Sequence, residues 1–440
     1  MGSAWRPRMD NCWKQPSASD DGNPMAEPRT PRSIFLVLGS LIAIGPLSSG
    51  LYLPALPDMA RVLDTSPSLA QATVATCLIG LALGQVIAGP LSDGRGRRGP
   101  VLAGVALFVL SSGLCALASD VWVLLALRFV QGLAGGAAVV IARAVVRDLY
   151  KGRRAAQMFS RLWLVFGVAP VVAPLAGAQI LQFTDWRGPF VALAVLGVLI
   201  LLGARAALPE SLPPEARQTD GVRGQLRQLG GLLTDRPFLG HVAISGLHGA
   251  TLFSYITMSA FVLQDGYGLS VQVYSAVVAV NAVGLVLGAQ LNGALVMRQG
   301  PGRLLVAAVT GMVLTTAALL VGALTGSLLA LLVPLFLAIS FTSVIGANNM
   351  ALAVAPHPTA AGSASALIGL TSFGIGAVVP PLASLLGATA TVMATTMLTM
   401  SGLSLFLLLT VVRPWRKDTA TATVPEREPA RPLDAGRRSA

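Results

Sequence analysis

The sequence predicts an all-α polytopic membrane protein, with twelve transmembrane helices in two six-helix bundles. Three observations carry this. Of 440 residues, 54% are apolar and only 11% charged, where a soluble protein carries about 25% charged residues. The apolar residues fall into long, nearly uncharged runs, each long enough for the roughly 20 residues a helix needs to cross a bilayer. The charges collect between those runs. The runs are too continuously apolar for barrel strands, which alternate.

Residues 1–32 are polar, with five Lys or Arg and several Pro, and read as a disordered cytoplasmic tail. Twelve spans follow, at about 33–55, 69–91, 99–118, 121–143, 157–182, 188–208, 237–263, 271–295, 302–325, 328–350, 362–387 and 390–412. The polar connection 209–236 divides them into bundles at 33–208 and 237–412. Residues 413–440 form a basic, Pro-containing tail, also read as cytoplasmic. The halves echo each other: Arg98-Gly99-Pro100 recurs as Gln299-Gly300-Pro301, an offset of 201 that also superposes whole spans. Two parallel six-helix repeats are a transporter architecture.

With the N-terminus inside, the outward loops hold only Arg61 and Arg187, while Arg95, Arg97, Arg98, Arg147, Lys151 and many others face inward. This asymmetry places both termini in the cytoplasm. It also explains the net charge of +12 without nucleic acid, because the arginines sit at span ends and in tails. Cys12, Cys77 and Cys115 have no metal-ligand spacing. No P-loop is present. No cofactor, metal or enzymatic activity is expected, and ATP is not the drive.

Five features carry the functional reading. The loop Gly89–Arg98 between the second and third spans holds Asp93 beside Arg95, Arg97 and Arg98, with Gly96 among them. Asp93 is expected to pair with Arg97 or Arg98 and clamp the two spans at their inner ends. Arg128 lies deep in the fourth span, one turn before Gln131 and Gly132. A buried arginine in lipid must face the protein interior or a watery cavity, as a coupling group or a latch on backbone carbonyls. In the fifth span, Gly167, Pro170, Pro174 and Gly177 predict a bent helix with a closely crossing neighbour. At the end of the first span, Tyr52 reads as a substrate contact or an interface marker, and Asp58 as a solvated carboxylate or a proton carrier. In the seventh span, His248 and Tyr255 are two turns apart. His248 is taken as the histidine inside an apolar run, beside Arg128, and its ordinary titration range suits a proton carrier. Asn281, Asn292, Asn348 and Asn349 offer uncharged contacts to substrate or to other helices.

Together these residues resemble the major facilitator superfamily over about 33–412. More narrowly they resemble its bicyclomycin and chloramphenicol resistance (Bcr/CflA-type) branch of drug:proton antiporters. Gly89–Arg98 is similar to the family's signature loop, Arg128-Gln131-Gly132 to its fourth-helix motif, and Gly167–Gly177 to its antiporter motif. The resemblance implies a monomeric multi-pass exporter of the bacterial inner membrane. It would exchange small apolar or amphipathic compounds for protons by alternating access, with Arg128 near the coupling step. Two positions depart from the pattern. Gly50 stands where the branch carries a first-span aspartate, and Gly94 where the loop carries an arginine. With no Asp or Glu inside the spans, the carrier would be His248, Asp58, Asp93 or the substrate itself. The alternatives are a narrow-range metabolite exporter or uniporter without proton coupling, and a non-transporting membrane sensor.

Overall fold

The computed structural model of the chain describes residues 32–150, 152–217, 232–357 and 361–413. The two tails and most of the central connection, 218–231, lie outside the described residues. Among the described residues there are twelve long helices. The first half holds α1 (Arg32–Gly50), α2 (Pro67–Arg95), α3 (Arg98–Leu117), α4 (Val121–Leu149), α5 (Gly152–Ile180) and α6 (Gly188–Ala207). The second half holds α7 (Arg236–Ala260), α8 (Val271–Gln299), α9 (Pro301–Thr325), α10 (Leu328–Val354), α11 (Ala361–Ala383) and α12 (Ala390–Leu407). A short helix, Leu56–Val62, follows α1. Among the described residues eleven helical segments are long and apolar enough to span a membrane, and the apolar part of α5, Gly167–Ile180, is shorter. Arg154 and Arg161 lie in the other part of that helix.

Local chemistry sets the helix starts. Ser66, Asp120, Asp235, Ser270, Ser327 and Thr389 each accept a hydrogen bond from a backbone N–H in the first turn of α2, α4, α7, α8, α10 and α12. Such a cap satisfies donors that have no partner within the helix. Large apolar side chains such as Leu110, Leu199 and Leu202 point outward on α3 and α6. Lipid accepts these side chains as readily as a protein interior does.

Within the first half α2 packs on α4, α3 on α4 and α6, and α1 on α4, α5 and α6. The second half repeats every one of these pairings six helices later. The halves meet through α2 on α11 and α5 on α8, two contacts that the same repeat interconverts. The register of the repeat differs from the expected 201. Ser66 and Ser270 cap α2 and α8, and Gly96 and Gly300 end them with φ of 93° and 76°. Gly80 and Gly284, like Gly84 and Gly288, are the close-approach positions. Each of these pairs is 204 residues apart. Gly99-Pro100 lies in the first turn of α3, whereas Gly300-Pro301 straddles the turn before α9, so the shared dipeptide is out of register. Caps and backbone contacts set the alignment.

The tightest pairing is α2 with α4. A Cβ on Gly80 or Gly84 would strike the carbonyls of Phe129 or Leu133, and one on Gly132 or Gly136 would strike those of Cys77 or Leu81. Four glycines, spaced four apart on both helices, thus bring two backbones into direct contact.

Candidate functional site

Arg128 is fully buried in α4, and its partners come from the first half. Its Nη1 donates to the Ser48 carbonyl of α1 at 3.0 Å and to Gln131 Oε1 one turn on, and its Nε donates to the Thr73 carbonyl of α2 at 3.3 Å. Gln131 Nε2 donates in turn to Ser112 Oγ of α3 at 2.7 Å. The guanidinium stacks 4.3 Å from the Tyr52 ring centre and 5.6 Å from that of Phe190 in α6. The Tyr52 hydroxyl lies 2.7 Å from Thr73 Oγ1. Four helices and the turn after α1 therefore meet on one cation, and α3 is tied in through Gln131. No carboxylate pairs with it among the described residues. Backbone carbonyls, an amide and ring faces spread the charge instead. Tyr52 is thus neither a marker at the outer interface nor exposed to a ligand in this conformation.

At the other end of α2 the expected clamp exists in a different form. The segment expected as a loop, Gly89–Arg98, is helical through Arg95, and Gly96 and Arg97 make the turn. Asp93 pairs with Arg97, one helical turn on. Arg97 also donates through Nε to Asp148 Oδ2 at the end of α4 (2.9 Å) and through Nη1 to Ser92 Oγ (2.7 Å). Arg98 points elsewhere, to the Arg205 carbonyl of α6, and Arg95 is exposed. The clamp therefore joins α2 to α4 as well as to α3.

Sequence reasoning missed two members of this clamp, Asp148 and Glu210. Glu210 accepts from the backbone N–H of Arg97 at 2.7 Å, of Arg98 at 3.1 Å and of Leu212 at 3.1 Å, capping the start of α3. The signal lay in Pro209-Glu210-Ser211, a carboxylate directly after an apolar span. A side chain on Gly96 would meet this carboxylate at 2.7 Å. Partial burial disfavours the Glu210 carboxylate, but the three backbone hydrogen bonds and Arg217 outweigh it and lower its pKa below the ordinary 4.5. A lowered pKa gives stability that is complete above the unfolded value and is lost as pH falls through the folded one. The melting midpoint of the unmodified chain in detergent should therefore exceed that of Glu210→Gln at pH 6. The gap should narrow below about pH 4.5. A constant gap from pH 7 to pH 3.5 would show that Glu210 acts by shape alone.

The fifth helix keeps Pro170 and Pro174 inside one continuous helix. Its two glycines differ. A Cβ on Gly177 would strike the Leu51 carbonyl just after α1, while Gly167 faces open space. Gly50 lies against the same helix, its missing Cβ 2.8 Å from Ala173 Cβ. The position where a carboxylate was sought is thus filled by α5. Asp58 lies 3.7 Å from Arg61, which also reaches Asp265 of the second half at 3.5 Å, and all three are substantially exposed.

His248 is not beside Arg128. It is half-buried in the second half, hydrogen-bonded to the Thr342 backbone of α10 and near Gly346. Nor is it the only histidine within α7. His241 is buried, with Nδ1 2.8 Å from Asn349 Oδ1. Tyr255 and Asn281 do come together, the amide donating to the hydroxyl at 3.0 Å between α7 and α8. Asn348 donates to Asn292 at 2.6 Å between α10 and α8. Each sequence-predicted asparagine thus joins helices in this state. Among the described residues no three His, Cys, Asp or Glu side chains converge as metal ligands.

The family model for the Major Facilitator Superfamily matches residues 38–381. An uncharacterized MFS-type transporter of Bacillus subtilis (strain 168), YdgK, is 36% identical over 365 residues, 82% of this chain and 90% of the relative. A bicyclomycin resistance protein homolog of Haemophilus influenzae is 30% identical over 352 residues, 79% of this chain and 88% of the relative. Among solved structures, a D-xylose-proton symporter matches with a TM-score of 0.69 over 87% of this chain and 98% of its own, at 17% identity. That last likeness concerns the fold.

Proposed function

Because the chain belongs to the Major Facilitator Superfamily, a family of membrane transporters rather than enzymes, we propose that it exports small, mostly apolar compounds in exchange for protons. The observation that carries this reading is the 30% identity, over most of both chains, to a relative named for bicyclomycin resistance. The helix interiors agree with it: their polar groups are chiefly amides and hydroxyls such as Asn281 and Tyr255, which suit amphipathic neutral ligands. The two halves rock about the seam between α2–α11 and α5–α8, opening to each side in turn. The arginine-rich end faces the cytoplasm, as the charge asymmetry supports, and the Asp58 end faces out. Arg128 acts as the latch of the first half. It keeps its proton at ordinary pH, so the carrier is a different group, and His248 is the candidate.

A second reading, transport without proton coupling, is favoured by one observation: Gly50 is pressed against Ala173, and no carboxylate lies inside the spans. One experiment separates the two. Purified protein is reconstituted in vesicles, and substrate-induced proton movement is followed with a pH-sensitive dye alongside uptake of labelled chloramphenicol. The antiport reading expects coupled flux in the unmodified chain. It expects His248→Gln to lower proton flux about tenfold or more while downhill drug movement continues. Intact proton flux in that variant removes His248 as carrier. Drug movement without proton flux in the unmodified chain selects the uncoupled reading.

A further inference from the structure

At the Asp58 end a group of polar contacts crosses from one half to the other. Gln71 of α2 is fully buried, and its Oε1 accepts from Ser384 Oγ just after α11 at 2.9 Å and from Thr257 Oγ1 of α7 at 3.3 Å. One turn nearer the helix start, Ser68 Oγ donates to the Pro381 carbonyl at 2.6 Å. That carbonyl is free because it belongs to the last turn of α11, whose carbonyls have no partner within the helix. Gln264 Nε2 donates to the Pro54 carbonyl at 3.1 Å. By contrast, among the described residues the Arg97 clamp at the opposite end binds the first half and the start of the connection that follows it. The Asp235–His357 pair there joins elements of the second half alone.

We propose that Gln71 is the keystone of an uncharged gate that closes the Asp58 end of the transport path. The proposal rests on the exporter reading only in calling that end outer. Three features suit a reversible gate. Its buried bonds are neutral, so parting the halves costs about one modest hydrogen bond at a time and strands no buried charge; the ion pair that also crosses at this end, Arg61 with Asp265 at 3.5 Å, is solvent-exposed and of the kind that contributes little. Gln71 spends only its carbonyl. Its Nε2 is buried with no partner among the described residues, so the closed state is held less firmly than it would be with a fully used amide. Thr257 shares its single hydroxyl proton between Gln71 and the Phe253 carbonyl at 2.9 Å, which leaves Ser384 as the stronger partner. When the gate opens, Thr257 keeps the Phe253 carbonyl as its acceptor.

The test reads distances between the halves without substrate, so it stands apart from whether any drug is moved. Nitroxide labels are placed at Val62→Cys and Leu386→Cys, both exposed at the gate end, and in a second sample at Leu149→Cys and Met297→Cys at the other end. Cys12 is replaced by serine, and the two remaining cysteines are buried. In the unmodified chain the Val62–Leu386 separation should be mostly short. Gln71→Leu should raise the long-distance population about tenfold, since two hydrogen bonds of about this strength are lost, with matching shortening between positions 149 and 297. Ser384→Ala should shift it the same way by about threefold to fivefold. An unchanged distribution in both Gln71→Leu and Ser384→Ala overturns the proposal. If Gln71→Leu does not insert, Ser384→Ala decides alone.

Discussion

Replacing Arg128 with alanine should abolish transport and lower the melting midpoint in detergent by about 5 °C or more. The side chain removed is fully buried and donates to the Ser48 carbonyl, the Thr73 carbonyl and Gln131. Each buried acceptor left without a donor costs about 1–3 kcal/mol. The vacated volume adds a cavity term of about 24 cal/mol per Å³. The sum is about 3 kcal/mol or more, a large share of the stability of a folded domain. Arg128→Lys should recover only part of it, because an ammonium lacks the planar fork that reaches α1, α2 and Gln131 together. Thermal melting followed by size-exclusion chromatography, with vesicle transport on the same samples, checks both halves of the claim. An unchanged midpoint with transport lost would overturn the latch and make Arg128 a coupling residue.

The second large effect belongs to Gly177. Alanine there would drive a Cβ into the Leu51 carbonyl, and because the obstacle is backbone, no side chain can swing aside. Overpacking of this kind costs about 1–3 kcal/mol, and here it would also push α5 away from the end of α1. Gly177→Ala should lower both the midpoint and the transport rate, the latter by about tenfold. Gly167→Ala is the control: that glycine faces open space, and alanine within a helix is worth about 0.5–1 kcal/mol over glycine. Its midpoint should hold or rise. Equal damage from both substitutions would show that α5 needs flexibility rather than close contact.

The spans and their division into halves were legible because lipid demands continuous apolarity, which a sequence displays directly. Asp93 beside its arginines was legible for a related reason: a carboxylate among cations at a span end has few other uses. The rest of the clamp was not. Asp148 is 51 residues from Arg97 and Glu210 is 113 residues away, and neither sits in a pattern that names its partner. The surroundings of Arg128 were hidden more completely, since carbonyls such as those of Ser48 and Thr73 exist at every residue. The placement of His248 beside Arg128 failed because depth along two helices was read as nearness between them. The repeat was found in the wrong register because a Gly-Pro match outweighed the less conspicuous pairing of Ser66 with Ser270 and Gly80 with Gly284.

The four-glycine contact between α2 and α4 has a mechanical consequence. Two backbones pressed together have no side chains between them to slide, so the pair tilts as one beam. α2 has 29 residues and is about 43 Å long. It carries Gln71 near one tip and Asp93, salt-bridged to Arg97, near the other. Pivoting near its centre, such a lever turns each ångström of separation at the first tip into about an ångström of approach at the second. α4 travels with it, and so does Arg128 with its bound carbonyls.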